Sequence, residues 1–223
     1  RMVEDHPDGS PEELPEAEPQ HAGGDRLRWS DPRLRGWLAA GVLGGHAQSI
    51  LLGVIGFLLL DRLGLRHQPD AAAGSIGLVL MCGAIATLLA QWGLIPMLRL
   101  GPRASTLWGM GLCCIGTVPL ATGLDLHTIT VGFAICSLGF GLFRPGFTSG
   151  ASLAVGRAEQ GQAAGIVAAV NGSAYIVAPA IGVWLYNHSH WLAWIVVEAL
   201  AIGAVVLCVL LMRTPLRTPS HHA

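Results

Sequence analysis

The chain has 223 residues, of which 52% are hydrophobic and only 12% are charged, and its formal net charge is −1. This composition leaves too few charged side chains to cover a water-soluble globule of that size. All 13 basic residues are arginines scattered along the chain. They do not form the clustered cationic surface that binds nucleic acid, so no nucleic-acid partner is expected.

Residues 1–36 differ from the rest because acidic residues and prolines dominate them. Like charges and regularly spaced prolines prevent a hydrophobic core from forming, so a disordered acidic linker on the cytoplasmic side is predicted. The chain begins with Arg1 and not with methionine, as expected for part of a longer polypeptide. The alternative is that Met2 is an internal start.

Six apolar stretches follow, each long enough to cross the hydrocarbon core of a bilayer as an α-helix. Their approximate bounds are 37–60, 74–98, 104–123, 129–153, 163–186 and 191–212. An all-α membrane protein is therefore predicted, with a six-transmembrane-helix bundle over 37–212 and a cytoplasmic tail over 213–223. The cysteines lie inside these stretches without metal-ligand spacing, so neither a disulfide framework nor a metal site is expected.

The arginines fall almost entirely on one side of the six crossings. If the N-terminal end is cytoplasmic, only Arg62 and Arg66 lie in outer segments, and Arg144 lies within a span. The positive-inside rule then places both ends of the chain in the cytoplasm. The expected location is a cytoplasmic membrane of the bacterial type, with the lipid bilayer as a partner.

Small residues recur in the first and fifth spans at spacings that let helix backbones approach closely. They are Gly41, Gly44, Gly45, Gly53 and Gly56 in the first span and Ala174, Ala178 and Gly182 in the fifth. A tightly packed bundle is therefore predicted. Trp184, Tyr186, Trp191 and Trp194 gather near the outer boundary, where the sequence predicts an aromatic belt facing the lipid interface.

Two segments resemble parts of the major facilitator superfamily. The connection after the second span, with Arg99, Gly101 and Arg103, resembles the R-x-G-x-R ending of the family's cytoplasmic loop motif. Residues 159–186, EQGQAAGIVAAVNGSAYIVAPAIGVWLY, resemble the eleventh helix of its drug:proton antiporters, including the tetracycline efflux relatives. Met97 and Leu98 replace the charged pair expected upstream of Gly101.

The resemblance implies a fold of two six-helix halves, of which this chain is the second. It also implies a non-enzymatic secondary transporter without a cofactor, which exports small, partly apolar molecules in exchange for protons. The expected partners are the small-molecule substrate, protons and the missing N-terminal six-helix half, in the same polypeptide or in a separate chain. Uptake of a metabolite by the same fold is the alternative transport function.

Arg144 is the most informative side chain, because it lies about ten residues, or ~15 Å, inside the fourth span. An arginine at that depth costs at least ~2.5 kcal/mol to insert and usually faces a bundle interior or a wet cavity. The family resemblance implies a role in proton transfer, since the corresponding helix of the first half carries a buried arginine. The alternative is that Arg144 caps carbonyls freed by Pro145.

His46 and Gln48 on the first span and Asn171 and Ser173 on the fifth fall at nearly the same depth as Arg144. The resemblance implies that these helices face a central cavity, so the polar layer is a candidate half of a substrate site. For His46, a hydrogen bond to a neighbouring helix is the structural alternative.

Glu198 is the one carboxylate well inside a predicted span, which makes it a candidate proton carrier or a neutral acid bonded to its neighbour. An intramembrane serine protease is the rival from another class, with Ser149 between Gly146 and Gly150 as the nucleophile. The geometry disfavours it, because His46 is the only deep candidate for the base that a serine needs.

Overall fold

The computed structural model of the protein describes residues 27–212. Positions 1–26 of the predicted linker and the predicted tail over 213–223 lie outside the described residues. The predicted all-α, six-helix architecture is confirmed, and residues 27–212 contain no strand. The helices are α1 (Arg35–Arg62), α2 (Pro69–Leu98), α3 (Pro102–Thr122), α4 (Leu126–Leu153), α5 (Gln160–His188) and α6 (Leu192–Leu211).

Local sequence explains where several helices begin. Pro69 and Pro102 open α2 and α3, at the first turn, where the missing N–H costs nothing. Asp125 caps α4: one carboxylate oxygen accepts the Thr128 N–H at 2.9 Å and the other accepts the Thr128 hydroxyl at 2.6 Å. These hydrogen bonds hold the pKa of Asp125 below its ordinary value.

The second helix contains an irregular turn. Leu89–Leu94 adopt π-helical hydrogen bonding, with the Ile95 N–H donating to the carbonyl of Ala90, immediately before Pro96. Proline lacks the N–H that would continue the α-helical ladder, and its ring crowds the preceding turn. A π-helical turn widens the helix there without ending it. α2 therefore continues to Leu98.

Two helices organise the bundle. α1 packs mainly against α5 and α6, and α4 packs mainly against α3 and α2. α1 also contacts α4, and α3 contacts α6. α2 and α5 consequently lie on the outer sides of α4 and α1, where each exposes a wide apolar face that includes Met81 and Ile85 on α2 and Ile176 and Val177 on α5.

Tight packing at the small residues is confirmed for most of the positions in α1, although a neighbouring backbone comes close only at Gly53. A Cβ atom on Gly44 would overlap the Phe143 ring, and one on Gly53 would lie 2.9 Å from the Cα atom of Pro179. A Cβ atom on Gly45 would lie 3.3 Å from that of Ala174. Gly56 differs, because a Cβ atom there would meet nothing within 4 Å.

The arginines separate the two ends of the bundle. The basic end is defined here as the end where α1 begins; Arg33, Arg35, Arg99, Arg103 and Arg157 lie there. Arg62 and Arg66 lie at the opposite end.

Candidate substrate and coupling site

Arg144 extends from α4 toward α5. Its Nη1 atom lies 3.5 Å from the Tyr175 hydroxyl oxygen, and its guanidinium carbon lies 5.8 Å from the centroid of the Tyr175 ring. The long hydrogen bond is weak, whereas the ring distance is within the range of a cation–π interaction. No carboxylate among residues 27–212 forms an ion pair with Arg144. Its charge is therefore held against an aromatic face.

Packing contacts align three helices near this arginine. Gly44 of α1 lies against the Phe143 ring of α4, and Gly45 lies against Ala174 of α5. His46, Arg144 and Tyr175 each follow one of these contact positions by a single residue. The three side chains thus originate at the same level of the bundle.

His46 is half-buried on α1, and its Nδ1 atom lies 2.7 Å from the carbonyl oxygen of Val42, one turn earlier. A carbonyl oxygen only accepts hydrogen bonds, so Nδ1 carries the proton. In the neutral ring, Nε2 is then an acceptor, and no described residue donates to it. His46 presents a proton-accepting atom at the level of Arg144.

The other predicted polar residues differ in how they are bonded. Ser173 is exposed on α5, and its hydroxyl donates to the Val170 carbonyl at 2.9 Å. Gln48 and Asn171 are half-exposed, with no hydrogen bond from their side chains to any residue in 27–212. Asn171 precedes Tyr175 by one helical turn, so both lie on the same side of α5. The side-chain amide groups of Gln48 and Asn171 are therefore able to bind a solute.

Glu198 lies at a different interface. From α6 its carboxyl group lies beside Cys114 and Thr117 of α3, and its Oε2 atom is buried without a hydrogen-bond partner among residues 27–212. α3 and α6 pack together away from the contact between α4 and α5. The structure therefore does not bring Glu198 together with Arg144 and His46.

The loop-motif residues hold the start of α3 and the end of α2. Arg99 ends α2 in the left-handed conformation with φ 49°, and Gly101 precedes Pro102 in an extended conformation. A Cβ atom on Gly101 would meet nothing within 4 Å, so the packing does not require glycine there. Arg103 donates to the Val209 carbonyl at 3.3 Å, in the last turn of α6, where a cation is favourable.

Ser149 forms only local hydrogen bonds. Its hydroxyl lies 2.6 Å from the Pro145 carbonyl oxygen and 3.1 Å from that of Gly146, both on its own helix. No histidine in the described part of the chain bonds to it, and the Nδ1 atom of His46 is committed to Val42. This arrangement lacks the serine–base pair of a hydrolase.

The prediction of an aromatic belt is correct for two of its four residues and wrong for the other two. Trp184 and Trp191 are exposed, but Tyr186 and Trp194 are buried within the protein. The Tyr186 hydroxyl lies 3.0 Å from an Asp61 carboxylate oxygen, and this carboxylate also binds Arg66 at 2.8 Å. The hydrogen-bonding hydroxyl explains why Tyr186 turns inward, away from lipid.

Arg66 extends this network to α5, because its Nη2 atom donates to Asn187 at 2.6 Å. Neither this cluster nor the role of Tyr175 was predicted from the sequence. The spacing of four residues between Asn171 and Tyr175 could have indicated that Tyr175 lies on the same face of α5 as the predicted polar residue. Asp61 and Asn187 lie 126 positions apart in sequence, and nothing local connects them.

A second ionic contact lies at the basic end. Arg33 binds Asp31 at 2.8 Å and Glu159 at 2.9 Å, joining the segment before α1 to the turn before α5. Hydrogen bonds from Arg33 lower the pKa of Asp31.

No group of three or more histidine, cysteine, aspartate or glutamate side chains in residues 27–212 is placed to hold a metal ion.

Comparison with known proteins gives one family. The family model described as Major Facilitator Superfamily matches residues 2–167 and residues 74–223, which together span nearly the whole chain. No curated protein gives a significant match.

Proposed function

Because the chain belongs to the major facilitator superfamily, we propose that it is the second six-helix half of a proton-coupled efflux carrier for small, partly apolar molecules. Membership makes the chain a multi-pass membrane protein of a secondary-transporter family. Efflux, proton coupling and the assignment to the second half are the parts that we propose.

The observation that carries the proposal is the unpaired charge of Arg144 between α4 and α5, at the level of His46. A cation within a span is expensive, and such residues mark substrate or proton pathways. Tyr175 supplies an aromatic face beside the charge, and His46 supplies a proton acceptor. Together they suit a solute with both apolar and polar parts.

The exposed faces of α2 and α5 support the proposal of a second half. Gly74 and Gly77 on α2 and Gly165 and Gly172 on α5 have open space where a Cβ atom would lie. Small residues on an apolar helix face allow another helix to pack closely. Alternating access would then arise from rocking of the two halves about a site between them.

The test removes Arg144 in the transporter assembled with its first half. Arg144→Ala should reduce substrate efflux by about tenfold or more, because a hydrogen bond to a charged group contributes ~1.5–3 kcal/mol. Membrane abundance of folded protein should stay close to that of the original protein. Arg157→Ala is the matched control, since Arg157 is exposed in the turn before α5.

Normal efflux by Arg144→Ala at normal abundance would refute the proposed site. A loss of folded protein that Pro145→Ala reverses would instead assign Arg144 to the capping of backbone carbonyls. Substrate transport measured with an imposed inward proton gradient separates efflux from metabolite uptake. Antiport would move the substrate out of the cell, whereas symport would move it in.

A further inference from the structure

A groove of about 670 Å³ opens at the basic end of the bundle, apart from the candidate substrate site. The beginnings of α1 and α3 and the ends of α4 and α6 form its walls. Arg33, Arg35 and Arg103 line it together with Trp37, Leu107 and Met212. Arginines and apolar side chains therefore meet in one cavity at the level where helices leave the hydrocarbon core.

The arginines that line the groove differ in whether carboxylates neutralise their charge. Arg33 is paired with Asp31 and Glu159, whereas Arg35 forms no ion pair with any residue in 27–212. Arg103 directs one N–H at the Val209 carbonyl. None of the described side chains that line the groove is a carboxylate. The cavity is thus favourable for an anion.

Two helix starts reinforce this preference. α1 and α3 both begin at the groove without an acidic residue in the first turn and without a side-chain cap. The first turn of a helix presents amide groups that the helix does not use, and its dipole attracts negative charge. Asp31 lies just before α1, where its carboxylate accepts the Arg33 N–H at 2.8 Å. Neither first turn places an acidic residue beside Arg35 or Arg103, so an anion between the two helix starts would be stabilised.

The mouth of the groove is apolar. Leu153 and Leu211 line it and are 70% and 49% exposed. In a bilayer these surfaces face lipid chains. A soluble anion would leave them uncovered, whereas an acyl chain would cover them.

From this combination we infer that the groove binds the phosphate of an anionic phospholipid, with acyl chains along the surface formed by α3, α4 and α6. Basic pockets between membrane helices bind such head groups. A zwitterionic lipid would bring an ammonium group into a cavity that offers it no described carboxylate. The inference depends on the chain lying in a membrane and not on the proposed transport.

Native mass spectrometry of the full chain in detergent tests the inference. With phosphatidylglycerol and phosphatidylcholine added in equal amounts, the chain should retain phosphatidylglycerol at least about fivefold better. Arg35→Gln should weaken that retention about fivefold, since one arginine near a lipid surface contributes a factor of that order. Arg157→Gln is the control, because Arg157 lies at the same end but does not line the groove.

Thermal unfolding checks that each variant remains folded, and Arg35 suits the test because it is exposed. Equal retention of both lipids would overturn the inference, as would equal loss in Arg35→Gln and Arg157→Gln. Inorganic phosphate in large excess should not displace the lipid. Displacement by phosphate would show a site for free phosphate and would also overturn the lipid assignment.

Discussion

At the residue scale, the contact between Arg144 and Tyr175 shows how a membrane protein holds a charge without a counter-charge. The guanidinium lies over an aromatic ring, whose face attracts cations, and its hydrogen bond to the hydroxyl is at the limit of length. The ring contributes more than the hydroxyl on this geometry.

That difference gives a prediction for Tyr175. Tyr175→Phe keeps the ring, so it should lower the free energy of unfolding by less than about 0.5 kcal/mol. Tyr175→Ala removes the ring and should lower it by about 1–2 kcal/mol. Thermal unfolding in detergent micelles measures both. Ile176→Ala controls for truncation at an exposed neighbour on α5, and equal damage from Phe and Ala would assign the interaction to the hydroxyl.

Tyr186 and Trp194 are buried, although the sequence places them at the depth of the lipid interface. Both were predicted to face the lipid interface, because aromatic residues cluster at that depth. Depth along a helix is visible in sequence, but the direction of a side chain around the helix is not. Tyr186 turns inward because Asp61 lies within hydrogen-bonding distance.

At the element scale, the packing of α1 on α5 depends on the absence of side chains at particular positions. Gly53 lies against the backbone of Pro179, which cannot move as a flexible side chain would. Gly56, one turn further along the same helix, faces open space. Substituting alanine at each of the two glycines therefore compares a closely packed position with an open one on the same helix.

Gly53→Ala should lower the free energy of unfolding by about 1–3 kcal/mol, because the added methyl group forces α1 and α5 apart. Gly56→Ala should be neutral or stabilise the protein by up to about 1 kcal/mol, since alanine favours the helix more than glycine does. Thermal unfolding and the yield of monodisperse protein measure the difference. If both variants behaved alike, close approach at Gly53 would not contribute to stability.

At the scale of the whole molecule, the distribution of arginines between the two ends predicts the orientation in the membrane. Reporter fusions after Arg66 and after His188 should lie outside the cytoplasm, because few positive charges flank those connections. Fusions after Arg103 and after Arg217 should lie inside. Alkaline phosphatase and fluorescent-protein activities measure the two locations, and an inverted pattern would contradict the predicted orientation.

Sequence alone determined the class of the protein, the six helices and the exceptional position of Arg144. These properties depend on local quantities: the length of an apolar stretch, the spacing of glycines and the cost of one charge within a span. The same local reasoning placed His46 and Arg144 at one depth, because depth follows from the rise of 1.5 Å per residue.

The tertiary structure decided which side chains meet. It places Tyr175 beside Arg144, sets Glu198 against α3, and gathers Arg35, Arg103 and Trp37 around one groove. Each result depends on how a helix is rotated toward its neighbours. That rotation is set by close contacts such as Gly44 with Phe143, which join residues distant in sequence. The spacing of the glycines predicts that such contacts form but does not identify the partner residue.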